Sequence, residues 1–147
     1  MADAVQHTFL LKEGLWRSEG EFFDGTGNRI AVAGEANIRH YPDKWVYEGV
    51  LRTAASPPGE HRTVYDIQPL APGAFATAWT SKSASLGTLH GRFLLIGDAI
   101  LSTYESATGR YRGQDTIVRR DNKHYSARGA LLDGSKILSA WSIELRQ

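Results

Sequence analysis

The residue with the most pointed chemistry is Asp115. It lies in the stretch Tyr111 to Arg120, where Tyr111, Asp115 and Ile117 share one parity and Arg112, Gln114 and Arg120 the other. In a strand, successive side chains face opposite ways, so Asp115 falls on the apolar face. An unpaired carboxylate there costs several kcal/mol unless it finds a partner or takes up a proton. Arg119 has the same parity and is the expected partner, near one rim. Two readings follow: a satisfied pair at the end of the strand, or a ligand anchor or general base for isomerase, cyclase or lyase chemistry. His61, with Tyr65 on its parity, is a second and weaker acid–base candidate.

Other chemistries find less support. The five histidines are His7, His40, His61, His90 and His124, with no H-x-H or H-x-x-x-H pair among them, so no metal site is expected. Haem needs an axial ligand on an inner face. Alternation points His40 and His61 inward and His90 and His124 outward. No cofactor is therefore expected, with haem as a minor alternative. There is no cysteine, hence no disulfide, thiolate site or cysteine nucleophile. No G-x-S-x-G occurs, and Gly25-x-Gly27 is too short for a phosphate loop. The formal net charge of +1 argues against nucleic acid as a partner. Arg110, Arg112, Arg119 and Arg120 read as a solvated strand face, with an anion site as the alternative. The longest apolar run, Phe93 to Ile96, is far below the roughly 20 residues of a membrane span. Met1 to Gln6 has no signal-peptide pattern, and a cytoplasmic location is expected.

The elements that must position Asp115 are strands. Apolar and polar residues alternate along most of the chain, broken by Gly, Pro, Asn and Asp clusters. The pattern predicts strands at 13–23, 29–39, 44–53, 61–68, 74–81, 88–96, 99–105, 110–120, 123–132 and 136–145. Asp133-Gly134 is a two-residue hairpin signal. Short links force antiparallel neighbours, because a parallel pair needs a long crossover. A flat sheet of this size would leave two edges, and closure removes them. The expected fold is all-β: a closed antiparallel up-and-down β-barrel of about ten strands, with a β-sandwich as the alternative. Residues 11–147 form its single domain, and residues 1–10 a tail or lid.

Parity then sorts the residues. Fifteen glycines, four tryptophans and six tyrosines suit a barrel with tight turns and bulky inward rings. About ten strands leave more room inside than eight, whose lumen side chains can just fill. A cavity with an aromatic wall is expected, with a solid core as the alternative. Its expected ligand-binding residues are Trp45, Tyr47, Tyr65, Thr77, Trp79, Phe93, Tyr111, Asp115, Tyr125 and Trp141, and its partner a small hydrophobic or aromatic molecule. Phe75 also has inward parity. Outward aliphatics such as Val46, Val64 and Leu94 make a homodimer face conceivable.

Gly14-Leu15-Trp16 in the first strand and Arg146 near the end of the last resemble the calycin superfamily, which includes lipocalins, fatty-acid-binding proteins and nitrobindin-like domains. The resemblance implies a ligand-holding barrel in which Trp16 closes one end and Arg146 packs across it. Only Asp24 to Asn28 stands where fatty-acid-binding proteins have a helical pair. The chain therefore looks most like the nitrobindin-like and uncharacterised bacterial lipocalin-like domains. Nitrobindin-like haem proteins carry their proximal histidine late in the chain, where His124 stands here.

Overall fold

The computed structural model describes residues 7–54 and 59–147. Ten strands follow in order: β1 (Gly14–Asp24), β2 (Arg29–His40), β3 (Trp45–Thr53), β4 (Glu60–Ile67), β5 (Ala76–Ser83), β6 (Gly87–Ile96), β7 (Ala99–Ser106), β8 (Tyr111–Asp121), β9 (His124–Asp133) and β10 (Lys136–Arg146). Each pairs antiparallel with its chain neighbours, and β1 pairs with β10 to close the barrel. Among the described residues, no helix is long and apolar enough to cross a membrane.

Closure requires local bending. The registers of β9–β10 and β8–β9 shift between Ile137 and Ser139 and between Arg119 and Asp121, which bends those strands around the curve. Gly97 and Gly134, both at positive φ, make the tight links β6–β7 and β9–β10. One seam is short: β4 and β5 share only the ladder pairs Asp66–Thr80 and Ile67–Trp79. Beyond them, Glu60 to Tyr65 and Ser81 to Ser83 run side by side without a ladder, leaving a slot in the wall.

The interior has two halves. At the end where β1 begins, inward side chains are fully covered: Trp16, Ile38, Ile67, Ile100 and Tyr125 are at most 1% exposed. Burying each such apolar side chain contributes about 1.5–3 kcal/mol. The floor beneath them is the segment before β1, with Phe9 and Leu10 buried in the same core. Residues 1–6 of the expected tail or lid lie outside the described residues. Toward the other end, Phe22, Leu51, Tyr65, Tyr104, Asp115, Leu131 and Trp141 face inward and are only partly buried.

Two details differ from the parity reading. Phe75 precedes β5 and is 61% exposed. Its carbonyl accepts a hydrogen bond from the Leu95 amide, so the residue belongs to the bend leading into the strand rather than to the inner face. Arg119 does not reach Asp115; its guanidinium donates to Asn122 Oδ1 at 2.6 Å, near the floor end of β8.

Candidate functional site

Asp115 sits in a row of inward positions that crosses five strands: Phe22 of β1, Trp141 of β10, Gly129 of β9, Asp115 of β8 and Ser102 of β7 are successive ladder partners. The glycine makes the chemistry of this row. Trp141 lies across Gly129, where a methyl group would come within 2.5 Å of indole Cζ2. Passing over that gap, Trp141 Nε1 donates to Asp115 Oδ1 at 3.0 Å, two strands away. A carboxylate has about four acceptor positions, so this one donor leaves it largely uncommitted.

The next row repeats the device. Trp79, Gly91, Tyr104 and Gly113 are ladder partners on β5 to β8. A side chain at Gly91 would overlap the Trp79 ring, and one at Gly113 the Tyr104 ring. The rings therefore lie against the wall at these glycines, and Trp79 and Tyr104 meet there with centroids 5.4 Å apart. Tyr65 stacks on Trp79 with centroids 4.0 Å apart, and Tyr47 on Tyr65 at 5.1 Å. This file of rings bridges β3, β4 and β5 where the ladder is short.

The electrostatics follow from burial. Asp115 faces inward, only partly buried by surface, but protein surrounds it and bulk water is distant. Burial raises its pKa from the ordinary 3.8 to about 7, partly offset by the Trp141 hydrogen bond. The Asp115 charge in turn disfavours ionisation of Tyr47, Tyr65 and Tyr104, whose phenols burial already holds well above 10. These three are neutral hydroxyls across the physiological range.

The expected ligand residues do not all converge. Tyr47, Tyr65 and Trp79 form one stacked file, and Asp115 is joined to Trp141. Tyr111 stands at the mouth, with Arg110 over its ring at 4.9 Å. Phe93 is 2% exposed, in the packed core. Thr77 donates to the Gln68 carbonyl at the floor end, and Trp45 stacks on His40 there at 4.0 Å. Tyr125 is 0% exposed and serves the floor: its hydroxyl contacts His7 Nδ1 at 2.9 Å and accepts from the Thr8 amide at 3.0 Å. His61 is exposed at the mouth, edge-on to Phe22 at 5.3 Å. His124 faces outward and pairs with Glu144 at 2.7 Å. Among the described residues, no group of three or more His, Asp or Glu lies close enough to hold a metal ion.

Closure of the Trp16 end is built differently from the arrangement the calycin resemblance implies. Phe9 and Tyr125 meet the Trp16 ring edge-on, each at 5.5 Å, while Arg146 is exposed on the outer face. Gly14 leaves room beside the Gln147 side chain. His40 Nε2 donates to the carbonyl of Leu10, a non-glycine residue at φ 71°, and so helps hold a backbone turn that is unfavourable by about 1–3 kcal/mol. The four clustered arginines disperse: Arg110 pairs with Asp133 and Arg112 with Glu105, whereas Arg119 and Arg120 bond Asn122 and Ser126.

Tyr104 stands outside the expected ligand-binding set, although it alternates with Ile100 and Ser102 on β7 and parity alone places it inward. The floor segment had no signal beyond Phe9 and Leu10, because short irregular segments have no period. Two surface concavities, of about 850 and 220 Å³, lie on the outer side of β5 to β9 and beside the β4–β5 seam.

Comparison with known proteins agrees with the architecture and goes no further. No family model matches the chain, and no curated protein does. The S-type phycobiliprotein lyase of Guillardia theta matches over 93% of this chain and 88% of its own, with a TM-score of 0.65 and 9% identity. A protein assigned as AttH from Nitrosomonas europaea matches 89% of this chain and 49% of its own at 8% identity, with a TM-score of 0.28, too poor an overlap to carry an argument. With the closed ten-strand barrel, the first likeness gives the chain a calycin-like fold.

Proposed function

We propose that the half of the barrel interior beyond the floor is hollow and binds a small molecule with a planar aromatic ring. The reading is supported by the pairing of rings with glycines: Tyr104 and Trp141 lie over Gly113 and Gly129 and, like Asp115 between them, are only partly buried. Flat aromatic walls with a few placed polar groups are what a small-molecule pocket requires. The test is titration with the neutral probe N-phenyl-1-naphthylamine, read by quenching of tryptophan fluorescence. Saturable one-site quenching is expected, and Leu131→Trp, which fills the hollow from β9, should abolish it. Absent binding, or binding indifferent to Leu131→Trp, would refute the lumen as the site.

A second reading is conversion of the bound molecule. It is favoured by Asp115, whose pKa of about 7 suits a general base at neutral pH. The Guillardia theta protein of similar fold is a lyase. In this reading Asp115→Asn removes turnover but leaves binding of the neutral probe intact, and turnover that survives the change excludes Asp115. His61, exposed at the mouth, is the other acid–base candidate, removed by His61→Ala.

A further inference from the structure

The groups facing the hollow share one electrical character. They are ring faces, whose quadrupole is negative at the centre, the phenol oxygens of Tyr47, Tyr65 and Tyr104, and the carboxyl of Asp115. Cations are scarce there. By strand parity, Arg119 and Lys136 are the lysine and arginine side chains directed inward. Arg119 is bonded to Asn122 at the floor, and Lys136 is exposed beyond the mouth. The histidines are placed elsewhere too: His7 and His40 are bonded in the floor, and His61 stands at the mouth against Phe22. Among the described residues, no lysine, arginine or histidine stands beside Asp115 to receive an anionic ligand group, whereas Asp115 has a single hydrogen-bond donor, Trp141.

We propose that the molecule held in the hollow is an organic cation, a protonated or quaternary amine attached to an aromatic ring, with Asp115 as its counter-ion. The assignment rests on the lumen being the binding site and adds the ligand's charge. A cation over Trp or Tyr faces gains attraction that grows as water is excluded. Beside Asp115 it also supplies the charge that lets a carboxyl remain ionised away from bulk water. The groups facing Asp115 are neutral on every element around it: Tyr47 on β3, Tyr65 on β4, Tyr104 on β7 and Trp141 on β10. Binding of an ammonium should therefore expel the Asp115 proton wherever that proton is still present.

The experiment compares three ligands with one ring and three charges: tryptamine, 3-ethylindole and indole-3-acetate, by calorimetric titration at pH 8. Tryptamine is expected to bind at least about tenfold more tightly than 3-ethylindole, and indole-3-acetate the most weakly. Asp115→Asn should erase the preference for tryptamine and leave 3-ethylindole unchanged. In the unaltered protein, moving to pH 5 should weaken tryptamine selectively, a result that does not depend on the variant folding. Equal affinity for all three, or an unchanged preference in Asp115→Asn, overturns the cation assignment while the lumen reading stands. So does binding of N-phenyl-1-naphthylamine without binding of tryptamine. Failure of all four probes overturns both.

Discussion

Asp115→Asn is expected to make the protein more stable at pH 8 and to leave it nearly unchanged at pH 4. Burial raises the Asp115 pKa from 3.8 to about 7. At pH values below 3.8 the carboxyl is protonated folded or unfolded, and its burial adds no pH-dependent cost. Between 3.8 and about 7 the folded chain keeps a proton that the unfolded chain has lost, so stability falls as pH rises. Above 7 both states are ionised, and the cost levels off at about 4 kcal/mol at most. Asparagine has nearly the same shape, and its side-chain oxygen can still accept from Trp141 Nε1. The assay is urea denaturation of both proteins at pH 4, 5.5, 7 and 8.5, followed by tryptophan fluorescence. Other titrating groups, such as His7 and Glu144, are common to both proteins and cancel in the difference. A difference that stays flat from pH 4 to 8.5, or that favours the unaltered protein as pH rises, would refute the argument.

Three further outcomes are expected. Tyr125→Phe should cost about 1–3 kcal/mol, because it strips hydrogen-bond partners from His7 Nδ1 and the Thr8 amide inside the floor; urea denaturation measures it, and limited proteolysis before β1 should accelerate. His7 has the opposite pH sign to Asp115. Burial lowers its pKa below 6.5, so its contribution is complete above 6.5 and is lost as pH falls, when the unfolded chain binds the proton first; His7→Asn should remove that acid-side slope from the stability profile. Gly129→Ala should cost about 1–3 kcal/mol by overpacking and lift the Trp141 indole off Asp115; a shift of the indole N–H resonance to that of an unbonded indole reports the second effect.

The barrel was legible because its signal is repeated. Ten alternating segments with short links leave few topologies, and a single misplaced boundary, such as the start of β5, does not alter the closure. The inward placement of Asp115 was legible for the same reason. Its partner was not. Parity brings Arg119 to the same face, but the two lie four residues apart along an extended strand, roughly 13 Å. The actual donor, Trp141, comes from two strands away and reaches Asp115 only because Gly129 leaves room. Such a contact depends on register between strands, which a period of two does not encode. The floor was hidden for a different reason. Phe9 and Leu10 look like any apolar pair near a chain end, and their burial follows from His40, Tyr125 and Asn122, far away in sequence, bonding the segment in place.

A ten-strand barrel is wider than one of eight strands, so its inward side chains have more space to cover. The chain spends most of its bulk in two places. The floor takes Phe9, Trp16 and Tyr125 in edge-on contact. The β4–β5 seam takes the stacked file Tyr47, Tyr65 and Trp79, where side-chain contact replaces missing ladder bonds. What remains, over β7 to β10, is lined by side chains held flat over Gly113 and Gly129 and by one carboxyl with one donor. Side chains at those glycines would displace Tyr104 and Trp141. The Trp141–Asp115 bond thus depends on the side chain that Gly129 lacks, and the placement of Tyr104 on the one that Gly113 lacks.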